Sequence, residues 1–109
     1  MERLMRGPYR LTPISVDMHV PVRVGGVYGL GKDPKNVTVL GRAESELRDR
    51  IKDFWKLYQF FWFEPALSPA GAYRIHCREY HKQLECGELE DKSHPVPYLP
   101  DAKCPECGT

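Results

Sequence analysis

The sequence predicts a small α/β fold: a mainly antiparallel three-stranded sheet packed with two helices in the order β-β-α-β-α, followed by an irregular C-terminal tail. Two observations carry this. The apolar pattern switches from strand-like runs to helical spacing at Ser45 and again at Ser68. The chain's 109 residues also suit one domain, with roughly two-thirds of the unfolded surface buried on folding. With 41% hydrophobic and 28% charged residues, the composition is that of a folded domain rather than a disordered chain.

The elements follow in order. Residues 1–23 read as an irregular arm, because Pro8, Pro13 and Pro21 interrupt them. Residues 24–87 read as the domain proper. Strands are expected over 25–30 and 36–41, joined by the turn chemistry of Asp33-Pro34-Lys35-Asn36 into an antiparallel hairpin. Ser45 is a candidate cap for a helix over 46–56, in which Leu47, Ile51, Phe54 and Trp55 recur at helical spacing opposite Asp49, Lys52 and Asp53. The aromatic run 58–63 reads as a third strand, ended by Pro65. Ser68-Pro69 then starts a helix over 69–85, closed by Gly87. Residues 88–109 contain four of the ten prolines and little periodicity, so this tail needs something outside itself to order it.

The cysteines supply that tie. Cys104 and Cys107 have CxxC spacing near the end of a proline-rich stretch, which suits a zinc knuckle better than a redox pair opening a helix. Cys77 and His81, at i and i+4, share one helix face. Together Cys77, His81, Cys104 and Cys107 make the tetrahedral Cys₃His set of a closed structural Zn²⁺ site. Cys86 and His94 are rival ligands. The plainer reading is four free thiols and a fraying C-terminus.

Charge and hydropathy exclude some functions. A net charge of +1 gives no bulk attraction to polyanions, so a nucleic-acid site would have to be a local patch. Arg3, Arg6, Arg10, Arg23 and Arg42 are candidates for one. The longest apolar run, Phe60 to Phe63, stops at Glu64, far short of the roughly 18 residues that span a membrane. No export signal is recognised at the N-terminus, so a cytoplasmic location is expected.

Over residues 24–86 the chain resembles the GIY-YIG nucleases. Gly26-Val27-Tyr28 resembles the GIY element, and Val39-Leu40-Gly41, beginning eleven residues on from Tyr28, stands where YIG would be. The β-β-α-β-α order and a helix carrying Leu47-Arg48-Asp49-Arg50 also match. The resemblance implies a site in which Tyr28 is the first tyrosine and Arg50 the helical arginine. Val39 replaces the second tyrosine, and His76 stands where a metal-binding glutamate is expected. Imidazole is a poor ligand for hard Mg²⁺, and valine provides neither acid nor base. Glu79, one turn from His76, is a candidate replacement ligand.

The expectation is therefore a catalytically degenerate nuclease-like domain that binds DNA or RNA without cutting it. The alternatives are a divergent DNA/RNA endonuclease using Mg²⁺ or Mn²⁺, and a protein-interaction module using the arm.

Overall fold

The computed structural model describes residues 5–86, 89–90 and 93–105; within α3, the side chain of Cys86 is not described. The elements run β1 (Arg6–Arg10), α1 (Pro13–His19), β2 (Gly25–Gly31), β3 (Val39–Ala43), α2 (Leu47–Lys52), β4 (Phe60–Ala66) and α3 (Pro69–Cys86). The strands form one antiparallel sheet in the order β1-β4-β2-β3. No helix among the described residues is long and apolar enough to cross a membrane.

The expected β-β-α-β-α run is present as β2-β3-α2-β4-α3, but among the described residues the sheet has four strands rather than three and there are three helices rather than two. Both additions come from the segment expected to be an irregular arm. β1 lies on the outer edge of β4, and Pro8, which lacks an N–H, is tolerated on an edge strand. α1 begins with Thr12, whose side chain accepts from the Ser15 N–H at 3.2 Å, and with Pro13 at the first turn. It buries Val16 completely, with Val20 just beyond its end.

Several boundaries also move: β3 runs Val39–Ala43 rather than over 36–41, and β4 starts at Phe60 rather than at 58. β4 continues through Pro65 to Ala66; β1 pairs with β4 only as far as Phe63, so a missing N–H beyond that point breaks no ladder on that side. α2 ends at Lys52 rather than 56, because the chain turns back through Lys56, whose φ of 76° lies in the left-handed region. Its cap is Glu46, also left-handed and making no side-chain cap bond, so Ser45 does not take that role.

Alternation along the strands divides the interior into two faces. On one, Tyr28, Leu30, Phe61 and Phe63 pack with Val16 of α1 and with Leu47 and Ile51 of α2. Gly41 makes room there, since a Cβ at that position would lie 2.2 Å from the Tyr28 ring. On the other face, Val27 and Trp62 pack with Tyr80 of α3 and with Leu89.

Candidate metal centre

α3 sets the geometry of the site. Ser68 Oγ accepts from the Gly71 N–H at 3.0 Å and Pro69 fills the first turn, which fixes where the helix starts. Helical spacing then puts Tyr73, Cys77 and His81 on one stripe. Tyr73 and Cys77 are 1% and 0% exposed.

The tail is laid over this stripe from the other side. The Glu90 N–H donates to Thr38 O at 2.7 Å, Arg42 Nη2 donates to the Val96 carbonyl, and the Tyr98 and Tyr73 rings meet with centroids 5.9 Å apart. Cys104 ends this path buried against Cys77 and Tyr73.

Cys77, His94 and Cys104 converge there, with one ligand atom from each lying within 4.8 Å of the others. Neither sulfur is in a disulfide, and both are buried. Ligands about 2.3 Å from a tetrahedral ion sit about 3.8 Å apart, so the cluster fits a metal after a contraction of at most about 1 Å. His94 Nδ1 donates to the Pro95 carbonyl at 2.9 Å, which leaves Nε2 as the lone-pair nitrogen; a carbonyl on the far ring nitrogen is the usual outer partner of a metal-bound histidine. His81 Nε2 is 3.5 Å from Cys104 Sγ, and its ring meets that of His94 with centroids 5.4 Å apart.

The structure thus brings the expected Cys77 and Cys104 together with the rival His94 rather than with His81, which contacts Cys104 but lies outside the group of three mutually close ligand atoms because His94 takes that position. Cys107 and the Cys86 side chain lie outside the described residues.

Among the described residues, three buried polar atoms around this centre make no hydrogen bond of full geometry: Tyr73 OH, Arg42 Nη1 and His76 Nδ1. Burial, with the Cys77 sulfur beside it, pushes the Tyr73 hydroxyl up to about 12. Burial, followed by the nearby Arg42 and His94, pushes His76 down to about 4, so its ring is neutral at pH 7. His76 lines a cavity of about 200 Å³ with Leu40, Tyr80, His94 and Val96.

The residues assigned from the nuclease resemblance are placed differently. Tyr28 is buried on the α1/α2 face against Phe54, with ring centroids 5.7 Å apart. Burial raises its pKa, and Arg50 on α2 is near enough to pull it partly back. Val39 packs against the same cluster. His76 belongs to α3 and lies across the sheet from Tyr28 and Arg50. Glu79 is 1% exposed and accepts from Arg78 Nε at 3.1 Å, while Arg78 Nη2 reaches buried Glu64 at 2.9 Å.

Among the arginines proposed for a basic patch, Arg42 turns inward onto Tyr73, Arg6 and Arg10 lie against Phe63 and Phe60, and Arg3 lies outside the described residues. No family model, no curated protein and no solved structure matches the chain.

Proposed function

We propose that this chain is a non-catalytic α/β binding module whose C-terminal segment is fastened across α3 by one structural Zn²⁺. The observation that carries the reading is the buried cluster of Cys77, His94 and Cys104. Two thiolates and an imidazole are donors that favour zinc, whereas Mg²⁺ and Ca²⁺ seek oxygen. His81, already 3.5 Å from Cys104 Sγ, or Cys107, three residues beyond Cys104, supplies the fourth ligand. Four protein ligands leave no open position for a substrate or an activated water, so the ion's work is to hold the tail.

The second half of the reading, that the nuclease-like scaffold binds DNA or RNA without cleaving it, rests on the GIY-YIG resemblance. Its support is the separation of Tyr28 and Arg50 from His76 by the sheet, together with the engagement of Glu79 by Arg78. Neither His76 nor Glu79 therefore offers a metal-binding carboxylate beside the tyrosine; the acid whose charge reaches Tyr28 is Asp53, just past α2.

Elemental analysis of protein purified without chelators tests the first half. One zinc per chain is expected, lost in Cys104→Ser; metal-free protein with an unchanged melting temperature in EDTA rejects it. His81→Ala and Cys107→Ser, assayed separately, identify the fourth ligand. For the second half, nucleic-acid affinity that falls with salt and no cleavage in Mg²⁺ or Mn²⁺ are expected. Robust cleavage abolished in Arg50→Ala restores the nuclease.

A further inference from the structure

We infer that Tyr73 and Arg42 are the outer shell of this metal site: the Tyr73 hydroxyl donates to the Cys77 thiolate, and the Arg42 guanidinium on the Tyr73 ring offsets thiolate charge. This rests on the zinc reading and goes beyond it, since neither residue is a ligand.

The argument begins with unmet bonding. Tyr73 is 1% exposed, and its hydroxyl makes no hydrogen bond of full geometry among the described residues, with the Cys77 sulfur the acceptor nearest to it in effect. A buried hydroxyl left unpaired costs about 1–3 kcal/mol, so an acceptor at that point matters. Tyr73 sits one turn before Cys77 on the same stripe of α3 and packs in one cluster with Cys77 and Cys104. When a metal holds those sulfurs as thiolates, they become strong acceptors for this hydroxyl.

Arg42 presents the complementary case. Its guanidinium carbon lies 5.3 Å from the Tyr73 ring centroid, Nη2 is spent on the Val96 carbonyl, and Nη1 is buried with no hydrogen bond of full geometry among the described residues. No carboxylate of the described residues pairs with it. Arg42 is half-buried with Nη1 enclosed, so negative charge close by favours it there, and the thiolates of Cys77 and Cys104 supply that charge without a salt bridge. The same arginine ties β3 to the tail through Val96, so one side chain both balances the centre and holds the strap that carries His94.

The cavity beside His76 does not account for Arg42, because its lining includes neither Arg42 nor Tyr73.

The test uses the full chain loaded with zinc, then with Co²⁺ as a spectroscopic substitute. Outer-shell partners of metal ligands typically contribute about 10–100-fold in affinity. Chelator competition on Tyr73→Phe, which keeps the ring and its packing, should show zinc binding weaker by about that factor. The thiolate-to-cobalt charge-transfer band should move to lower energy, because the sulfur lone pair loses a hydrogen-bond donor. Arg42→Met should move affinity and band the same way, and Arg42→Lys should restore part of both. A variant with a purely structural defect would weaken binding without moving the band. Wild-type affinity and an unmoved band in Tyr73→Phe overturn the inference while the zinc reading stands. A wild-type chain that takes up no stoichiometric zinc overturns both.

Discussion

The two faces of the sheet are held by different physics. The face under α1 and α2 is apolar: Val16, Leu30, Leu47, Ile51 and Phe61 are completely buried, and among the described residues of this core Tyr28 adds the one buried hydroxyl-bearing side chain. The face under α3 mixes apolar packing with buried Glu64 and Glu79, the Arg78 that joins them, and the Cys/His cluster under the tail. Burial on the first face is non-directional and survives small shifts. The second face depends on groups that must meet at hydrogen-bonding or coordination distance, and each is costly when left alone. The comparison separates a part that makes the fold from a part that makes the site.

Removing packing from the apolar face should give the largest loss. Phe61 is 0% exposed in β4, at the centre of that cluster. Phe61→Ala should cost about 3–5 kcal/mol, from lost transfer energy and the cavity left behind. Urea denaturation of the zinc-loaded protein measures it. A loss below about 1 kcal/mol would mean that the face carrying the fold has been misidentified.

On the polar face, Arg78→Met should cost roughly 3 kcal/mol, the low end for a broken buried pair, because the arginine is partly exposed and water can reach the site. The pH dependence gives this a sign. Burial raises the Glu79 carboxyl above its ordinary 4.5, against the opposing pull of Lys82 and Arg78. The native chain therefore takes up this proton before the unfolded chain does. This group alone makes the fold less stable as pH rises from 4.5 through the raised value. Without Arg78 the carboxyl should move higher and widen that window, so the variant's deficit should shrink in acid. A deficit that grows in acid contradicts the account.

Metal removal tests whether the faces are separable. EDTA, or Cys104→Ser, should speed amide exchange in residues 93–105 toward the open-chain rate while amides of β2 and β4 keep their protection. Equal loss in strands and tail would show that the metal holds the whole domain.

The division also explains what could be read from the sequence. The β2-β3 hairpin, β4 and α3 follow from local periodicity and turn residues, and they emerge with boundaries shifted by one to three residues. β1 and α1 were masked by prolines read as breakers. Thr12-Pro13 is the same cap-and-proline signal as Ser68-Pro69, and Val16 and Val20 supply helical spacing after it, so α1 was legible. β1 was not: an edge strand containing Pro8 is defined by its pairing with β4, which is a tertiary fact. At the metal centre, the i, i+4 rule points to Cys77, which joins the cluster, and to His81, which reaches Cys104 without joining it. His94 was only one of two rivals, because its approach depends on the course of the tail over Arg42 and Tyr73. Nothing local in Arg42 or Tyr73 signals a role at a metal.

The smallest effects should come from the two caps, and they sharpen the comparison because each begins a helix on a different face. Ser68 Oγ accepts from the Gly71 N–H at 3.0 Å at the head of the 18-residue α3. Thr12 Oγ1 accepts from Ser15 at 3.2 Å at the head of the 7-residue α1. Ser68→Ala should cost about 1 kcal/mol, and Thr12→Ala about 0.5 kcal/mol because its bond is longer and its helix leaves Ile14 and Met18 in solvent. The more telling difference is in zinc. α3 carries Cys77 and His81, so fraying its first turn displaces Tyr73 and should weaken zinc binding measurably in chelator competition. α1 touches none of these residues' face, so Thr12→Ala should leave zinc affinity unchanged while lowering the unfolding midpoint. Loss of zinc affinity in Thr12→Ala as large as that in Ser68→Ala would show that the sheet transmits strain between its faces.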